Sequence, residues 1–245
     1  MPRLGSLVVL IAGWQAAAWF AGSRLLPGPA AVAAGIGEAL VHGEMAMHLS
    51  ATLARVAAAF ALAMAFGTSL GYAMGRSDRF DRVADPWLVL LLNLPALVVI
   101  VLAYVWFGLT EAAAVGAVAL NKIPNTVVVV REGARALDPG LDEVARAYRF
   151  GTWKRLRHVV LPQLGPYLAA AARSGLSLVW KIVLVVELLG RSNGVGFEIG
   201  TYFQLFDVRM ILAYALAFVV IMLLVETLVL QPVERRAGRW RQRHA

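Results

Sequence analysis

Asp142 to Pro162 reads DEVARAYRFGTWKRLRHVVLP and carries five Lys and Arg residues, in a 245-residue chain that is 60% hydrophobic and only 16% charged. Just upstream, Asp138 is a good helix N-cap and Pro139 suits the first helical position. Leu141, Val144, Ala145 and Tyr148 then follow at i, i+3, i+4 and i+7, which is one apolar stripe on a short helix. Asp142, Arg146 and Arg149 lie off that stripe. Gly151 permits a bend, a second short stripe follows at Trp153, Leu156, Val159 and Val160, and Pro162 marks the next boundary. The segment is an amphipathic helix, a bend and a basic stretch, and what lies on either side of it decides the architecture.

On both sides the chain is apolar in runs of ~20 residues, the length that crosses ~30 Å of hydrocarbon. Its mean hydropathy is +0.71. The class is therefore an all-α, polytopic membrane protein. About six transmembrane helices are expected: 6–22, 51–75, 86–108, 111–130, 166–190 and 210–230. The first, with two Trp and no clean small-residue cleavage site, reads as a retained span rather than a signal peptide. Pro95 predicts a kink in the third. Gly67, Gly71 and Gly75, four apart on one face of the second, predict close helix packing. The stretch between spans one and two reads as an interfacial helix. Its His42 and His48 lack metal-ligand spacing and read as surface residues. The absence of cysteine excludes disulfides, thiol catalysis and Cys-ligated metals.

The basic residues set the orientation. With the N-terminus inside, the inside segments hold sixteen Lys and Arg and the outside segments three. That asymmetry puts both termini and the 142–162 stretch in the cytoplasm, across a plasma membrane. The net charge of +8 is thus explained by topology and lipid head groups, not nucleic acid. Two readings of the amphipathic helix are open: it lies on anionic lipid, or it fills a groove in another protein. Its acidic start at Asp142 and Glu143, its short stripe and its tether between two spans favour the groove.

Ionisable groups within spans are costly and face protein or water. Arg173, Ser177 and Lys181 are spaced by four and share a helix face; Lys122 sits beside Asn121 in span four. One reading has Ser177 and Lys181, with Lys122, lining a pathway that favours an anion, with Asn93, Asn121 and Glu187 as further candidates. The other has the cations satisfying carbonyls or acids on neighbouring helices, with Arg173 snorkelling to the cytoplasm. The segment RSNGVGFEIGTYFQLFDVR (191–209) is too apolar for a free loop. It either re-enters the membrane or packs on helix ends. The chain has no HExxH, no acidic cluster in a span and no GxxxxGK[ST] phosphate loop. An integral membrane enzyme therefore lacks its catalytic groups. A secondary transporter is the alternative that the intramembrane lysines keep open.

Glu143-Val144-Ala145, a Gly a few positions on, and Leu161-Pro162 resemble the EAA loop of ABC importer permeases. LPGPAAV after span one, HLSATLARVAAAFALAMAFGTSLGYAMGR in span two, YVWFGLTE between spans three and four, and VVELLGRSNGVGFEI after span five extend the resemblance over nearly the whole chain. They resemble the branch that imports aliphatic sulfonates, taurine, nitrate and related solutes. The resemblance implies one transmembrane domain over 1–245 with the type I permease fold of the molybdate and methionine importers. It implies a coupling loop at 131–162 that docks a cytoplasmic ATP-binding subunit through Leu141, Glu143, Val144, Ala145, Tyr148, Arg149, Gly151, Leu161 and Pro162. It further implies a second permease subunit, identical or not, and two ATP-binding subunits, which hold ATP and Mg, so that this chain needs no cofactor or catalytic group of its own. It implies as well a periplasmic or lipid-anchored solute-binding protein that delivers a small anionic solute. Asn193, Gly194 and Gly196 fall where the family borders its outer gate. Two departures stand out. Val144 replaces the second residue of EAA. Counting back from Pro162, the family's Gly-Ala pair falls on Arg149-Phe150, with a glycine at Gly151 instead. That shifts the flexible point by two residues or moves its work to a larger surface.

Overall fold

A computed structural model of the chain describes residues 2–232, with side chains from residue 5 onward. Among the described residues the regular structure is helical. The helices are α1 (Pro2–Ala21), α2 (Pro29–Val41), α3 (Met45–Arg76), α4 (Asp78–Asn93), α5 (Ala96–Phe107), α6 (Glu111–Arg135), α7 (Pro139–Ala147), α8 (Thr152–Arg155), α9 (Leu161–Gly190), α10 (Val195–Gln204) and α11 (Val208–Val225). A wider, π-type turn at Leu156–Val160 joins α8 to α9, and a second, Glu226–Leu230, extends α11. The basic tail counted above among the inside segments, 234–245, lies outside the described residues.

Four described helical runs are long and apolar enough to cross a membrane: Met45–Arg76, Glu111–Arg135, Thr152–Gly190 and Val208–Leu230. The apolar part of α1, Gly5–Ala21, is shorter. The third expected span is interrupted where Pro95 predicts, but more sharply than a kink: α4 and α5 meet at 96°. Proline explains the break. Leu94, before Pro95, is pushed into extended backbone (φ −73°, ψ 125°), so α4 ends there and Pro95 caps α5. Asn93 then turns back, donating to the Val89 carbonyl at 2.8 Å. At its other end α4 starts earlier than expected, because the Ser77 hydroxyl accepts the Phe80 N–H.

Contacts gather into two units. Among the described residues, one comprises 2–54 and 184–223, the other 55–183 and 224–232. In the second unit, Gly67, Gly71 and Gly75 press α3 against α6. A Cβ on Gly71 would lie 2.7 Å from the Val127 carbonyl oxygen, and one on Gly75 2.6 Å from that of Arg131. Here only glycine permits the approach. Arg131 then reaches Asp81 and Asp85 on α4, at 3.3 and 2.5 Å. In the first unit, Trp14 donates to the Pro27 carbonyl at 3.0 Å, fixing the turn from α1 into α2. The expected interfacial helix is α2, and it buries Val32 and Ala39.

Candidate functional site

The 138–163 segment folds as its pattern predicts up to Ala147. The Asp138 carboxylate accepts the Gly140 N–H at 2.8 Å and Pro139 starts α7. The stripe, however, is turned away from the rest of the unit. Ala145 is buried, whereas Leu141, Val144 and Tyr148 are 37, 51 and 76% exposed. The buried polar side chain is Asp142, which lies off the stripe. Arg155 holds it from α8 with two bonds, Nε at 2.6 Å and Nη2 at 2.7 Å. Arg146 donates at 3.0 Å from one turn on, and Arg76, at the end of α3, stands 3.7 Å away. The Arg146 hydrogen bond, then those and the charge of Arg155, hold the Asp142 carboxyl below its ordinary 3.8 against the opposing effect of burial.

Of the two readings open for the bend after α7, the structure has the one in which a larger residue does the work, and Gly151 is not the left-handed position. Gly151 is extended (φ −63°, ψ 160°) and caps α8. The left-handed residue is Arg149, at φ 51°. Phe150 N–H bonds the Ala145 carbonyl at 2.8 Å and Arg149 N–H that of Arg146 at 2.9 Å. This is the Schellman pairing, which demands a left-handed residue at its fifth position and favours glycine there. The left-handed turn thus falls on Arg149, at a cost of about 1–2 kcal/mol. Beyond it, Lys154 lies over the Phe150 ring at 4.3 Å. Trp153 and Leu161 are exposed, while Val160 and Leu164 pack with Ala134 of α6. Pro162 opens α9 just past the π-type turn.

The polar residues of the spans separate into three groups. Ser177 and Lys181 share the exposed face of α9; the Ser177 hydroxyl donates to the Ser174 carbonyl at 3.0 Å, and the Lys181 ammonium lies 5.5 Å from the Trp180 ring. Lys122 does not join them. It is 2% exposed and lies against Gly175, where a Cβ would come within 2.5 Å of its Cε, with Phe60 alongside. Asn121 beside it is half-buried, and Asn93 serves α4 as described. Glu187 forms the third group, fully enclosed in the first unit.

There the expected loop at 191–209 is helix α10. Its N-terminus presents a row of backbone N–H groups that intrahelical bonds cannot use. Gly196 N–H donates to the Glu187 carboxylate, Val195 N–H to the Thr52 hydroxyl and Gly194 N–H to His48 Nδ1, at 2.8, 2.8 and 2.9 Å. Thr52 in turn donates to Glu187 at 2.9 Å. Glu187 thus places a carboxylate at the positive end of a helix, where it is most stabilising. Gly194, at φ 112°, and Gly196 leave no room for a Cβ against Glu187 and the Leu184 carbonyl. Asn193 is half-buried just ahead of them. The surface expectation for His48 is corrected: it is 4% exposed. With Nδ1 accepting, its ring proton sits on Nε2, 3.2 Å from Glu198.

Residues 63–233 match the family described as binding-protein-dependent transport system inner membrane component. The chain belongs to that family. It is a permease subunit of an ATP-driven ABC importer: a multi-pass inner-membrane protein, itself not an enzyme, that works in a dimeric arrangement with ATP-binding and solute-binding partners. Among its relatives is SsuC of Bacillus subtilis (strain 168), whose name assigns it to aliphatic sulfonates transport. The two are 30% identical over 95% of this chain and 85% of that protein. The taurine transport system permease protein TauC of Escherichia coli (strain K12) is 25% identical over 97 and 88%. A solved inward-facing structure of the MetNI methionine ABC transporter superposes with a TM-score of 0.66 over 78% of this chain and 95% of that one, at 17% identity. The permease therefore has the expected type I fold.

Thr52 escaped the sequence reading, while His48 and Asp142 were misread: Asp142, part of the acidic start expected to suit a partner's groove, is buried against Arg155 of its own chain. All three carried a legible signal. Asp142 and Arg146 are four apart, the spacing of a helical ion pair. His48 and Thr52 are also four apart and so share a face of α3. What they face comes from residues about 140 positions away, which no local pattern carries.

Proposed function

We propose that this permease carries a small anionic, sulfonate-like solute, released to it by a solute-binding protein, with both termini in the cytoplasm. The chain acts as one transmembrane domain over 1–245, and 131–162 is its coupling loop. Helix α7 docks one ATP-binding subunit. The observation that carries this reading is the outward stripe: Leu141, Val144 and Tyr148 are exposed on a helix whose opposite side is tied to its own chain. An apolar face left open on a short cytoplasmic helix suits an amphipathic helix-in-groove contact. Glu143, Arg149, Gly151, Leu161 and Pro162 complete the loop. A docked helix moves when two ATP-binding subunits close and open on ATP and Mg, and the spans joined to it move with it. The second permease subunit, identical or not, supplies the other half of the pathway.

The anionic preference rests on Lys181 and Ser177, exposed together on α9, and on relatives named for sulfonate-bearing solutes. Asn193, Gly194 and Gly196 lie at the outer gate through the start of α10. Two experiments test the reading. Glu143→Arg abolishes co-purification of the ATP-binding subunit while the permease still inserts and folds; an intact complex refutes docking through α7. Lys181→Met lowers uptake of a sulfonate at normal expression; unchanged uptake removes Lys181 from the pathway.

A further inference from the structure

Helix α7 has little apolar grip on its own chain, since Ala145 is the one buried member of its stripe. Its covalent link to α8 is the short turn 148–151, which includes the left-handed Arg149. The strong bonds from α7 to the rest of the unit are polar. Asp138 N–H donates to Gln163 Oε1 of α9 at 2.9 Å, at the helix's N-terminal end. One turn further on, Asp142 takes both Nε and Nη2 of Arg155 at 2.6 and 2.7 Å and stands 3.7 Å from Arg76. A two-pronged guanidinium–carboxylate pair fixes angle as well as distance. Arg155 ends α8, immediately before the turn that runs into α9, and Arg76 ends α3. One carboxylate thus ties the helix to the roots of two spans.

We propose that Asp142 is a positioning residue, the strut that carries motion of α7 into α9 through Arg155 and into α3 through Arg76. The proposal rests on the docking of α7 argued above, and it assigns Asp142 to transmission rather than to docking. The side chain points away from the exposed stripe, so the docked face does not include it.

The test uses the full chain assembled with its ATP-binding subunit in nanodiscs. Because the chain has no cysteine, Ala170→Cys on the exposed side of α9 accepts a single fluorophore. The readout is the ATP- and Mg-dependent change of its emission. Asp142→Asn retains the ATP-binding subunit at the level of the parent but reduces the change at least threefold. Arg155→Gln does the same, and the double variant loses no more than either single one, as a shared interaction requires. Asp142→Glu, which keeps the carboxylate, retains most of the change. The proposal is overturned by a full change in Asp142→Asn, by losses that multiply in the double variant, or by loss of the ATP-binding subunit from Asp142→Asn. Failure of the parent chain itself to retain that subunit refutes the docking reading, and the strut with it.

Discussion

Replacing Glu187 by Ala separates the two roles open to it. The structure makes it the anion that caps α10. One enclosed donor is left without an acceptor by the change, the Gly196 N–H at 2.8 Å; the Thr52 hydroxyl, 2.9 Å from Glu187, keeps the His48 carbonyl at 3.1 Å. A buried donor without a partner costs about 1–3 kcal/mol and the lost charge at the helix end about 0.3–2 kcal/mol, so the change amounts to about 1–5 kcal/mol. For a chain of this size, about 2–4 °C of melting temperature accompanies each kcal/mol, so a fall of roughly 10 °C is expected. Glu187→Gln keeps one acceptor oxygen and loses chiefly the charge at the helix end, about 0.3–2 kcal/mol, so it melts between the two. The assay is thermal unfolding of the purified chain in detergent, followed by the emission of its seven tryptophans. A Glu187→Ala protein that melts with the parent refutes the capping argument. If that protein also selects solutes differently, Glu187 belongs to the pathway after all.

Other predictions follow from the same geometry. Gly75→Ala places a Cβ 2.6 Å from the Arg131 carbonyl oxygen; overpacking of about 1–3 kcal/mol outweighs the roughly 1 kcal/mol that Ala gains over Gly in a helix, so the melting temperature falls. A rise shows that α3 and α6 do not approach so closely. Arg149→Gly relieves the left-handed strain, less the chain entropy glycine adds, for a net gain of up to about 1 kcal/mol. Exchange of the Phe150 amide then slows by up to about fivefold, and faster exchange contradicts the Schellman assignment. The Asp142 carboxyl is held below its ordinary 3.8, so its contribution to stability is present above that pH and disappears only as the pH falls through its lower, folded value. Amide protection of α7, corrected for intrinsic rates, should stay flat from pH 8 to 5 and drop only under strongly acidic conditions. Loss of protection between pH 8 and 5 shows that another group governs the helix.

How much of this was legible depends on where each instruction is written. The break at Pro95 and the caps at Asp138 and Pro139 are local, so the sequence carries them outright. The extent of the break is not local. Pro95 removes a donor and restrains Leu94, but the 96° angle also reflects Asp81 and Asp85 of α4 meeting Arg131 of α6. The glycine stripe shows the other limit. Spacing by four identifies a face that admits a close neighbour, while the identity of that neighbour, α6, is a tertiary fact. His48 was misjudged for the same reason. In isolation it is a histidine on a polar stretch, and its burial follows from the N-terminus of α10 settling on its Nδ1.

Helix α7 shows why hydrophobic periodicity can be right about a face and silent about its use. The pattern Leu141, Val144, Ala145, Tyr148 correctly puts four residues on one side of α7. In a self-contained domain that side would turn inward and the polar side would meet water. Here three of the four are exposed, and the enclosed group is a carboxylate held by arginines. On the docking proposed for α7, the inversion has a physical cause. A helix that must present its apolar face to another polypeptide cannot also spend it on its own fold, so its attachment has to run through polar bonds on the opposite side. Those bonds need partners with fixed geometry, which is why the side chains around Asp142 are guanidinium groups rather than lysines. On this argument the departure at Arg149 is tolerable. The turn's shape is dictated by backbone hydrogen bonds that any residue can make, and its strain of about 1–2 kcal/mol falls on a connection that does not carry the load.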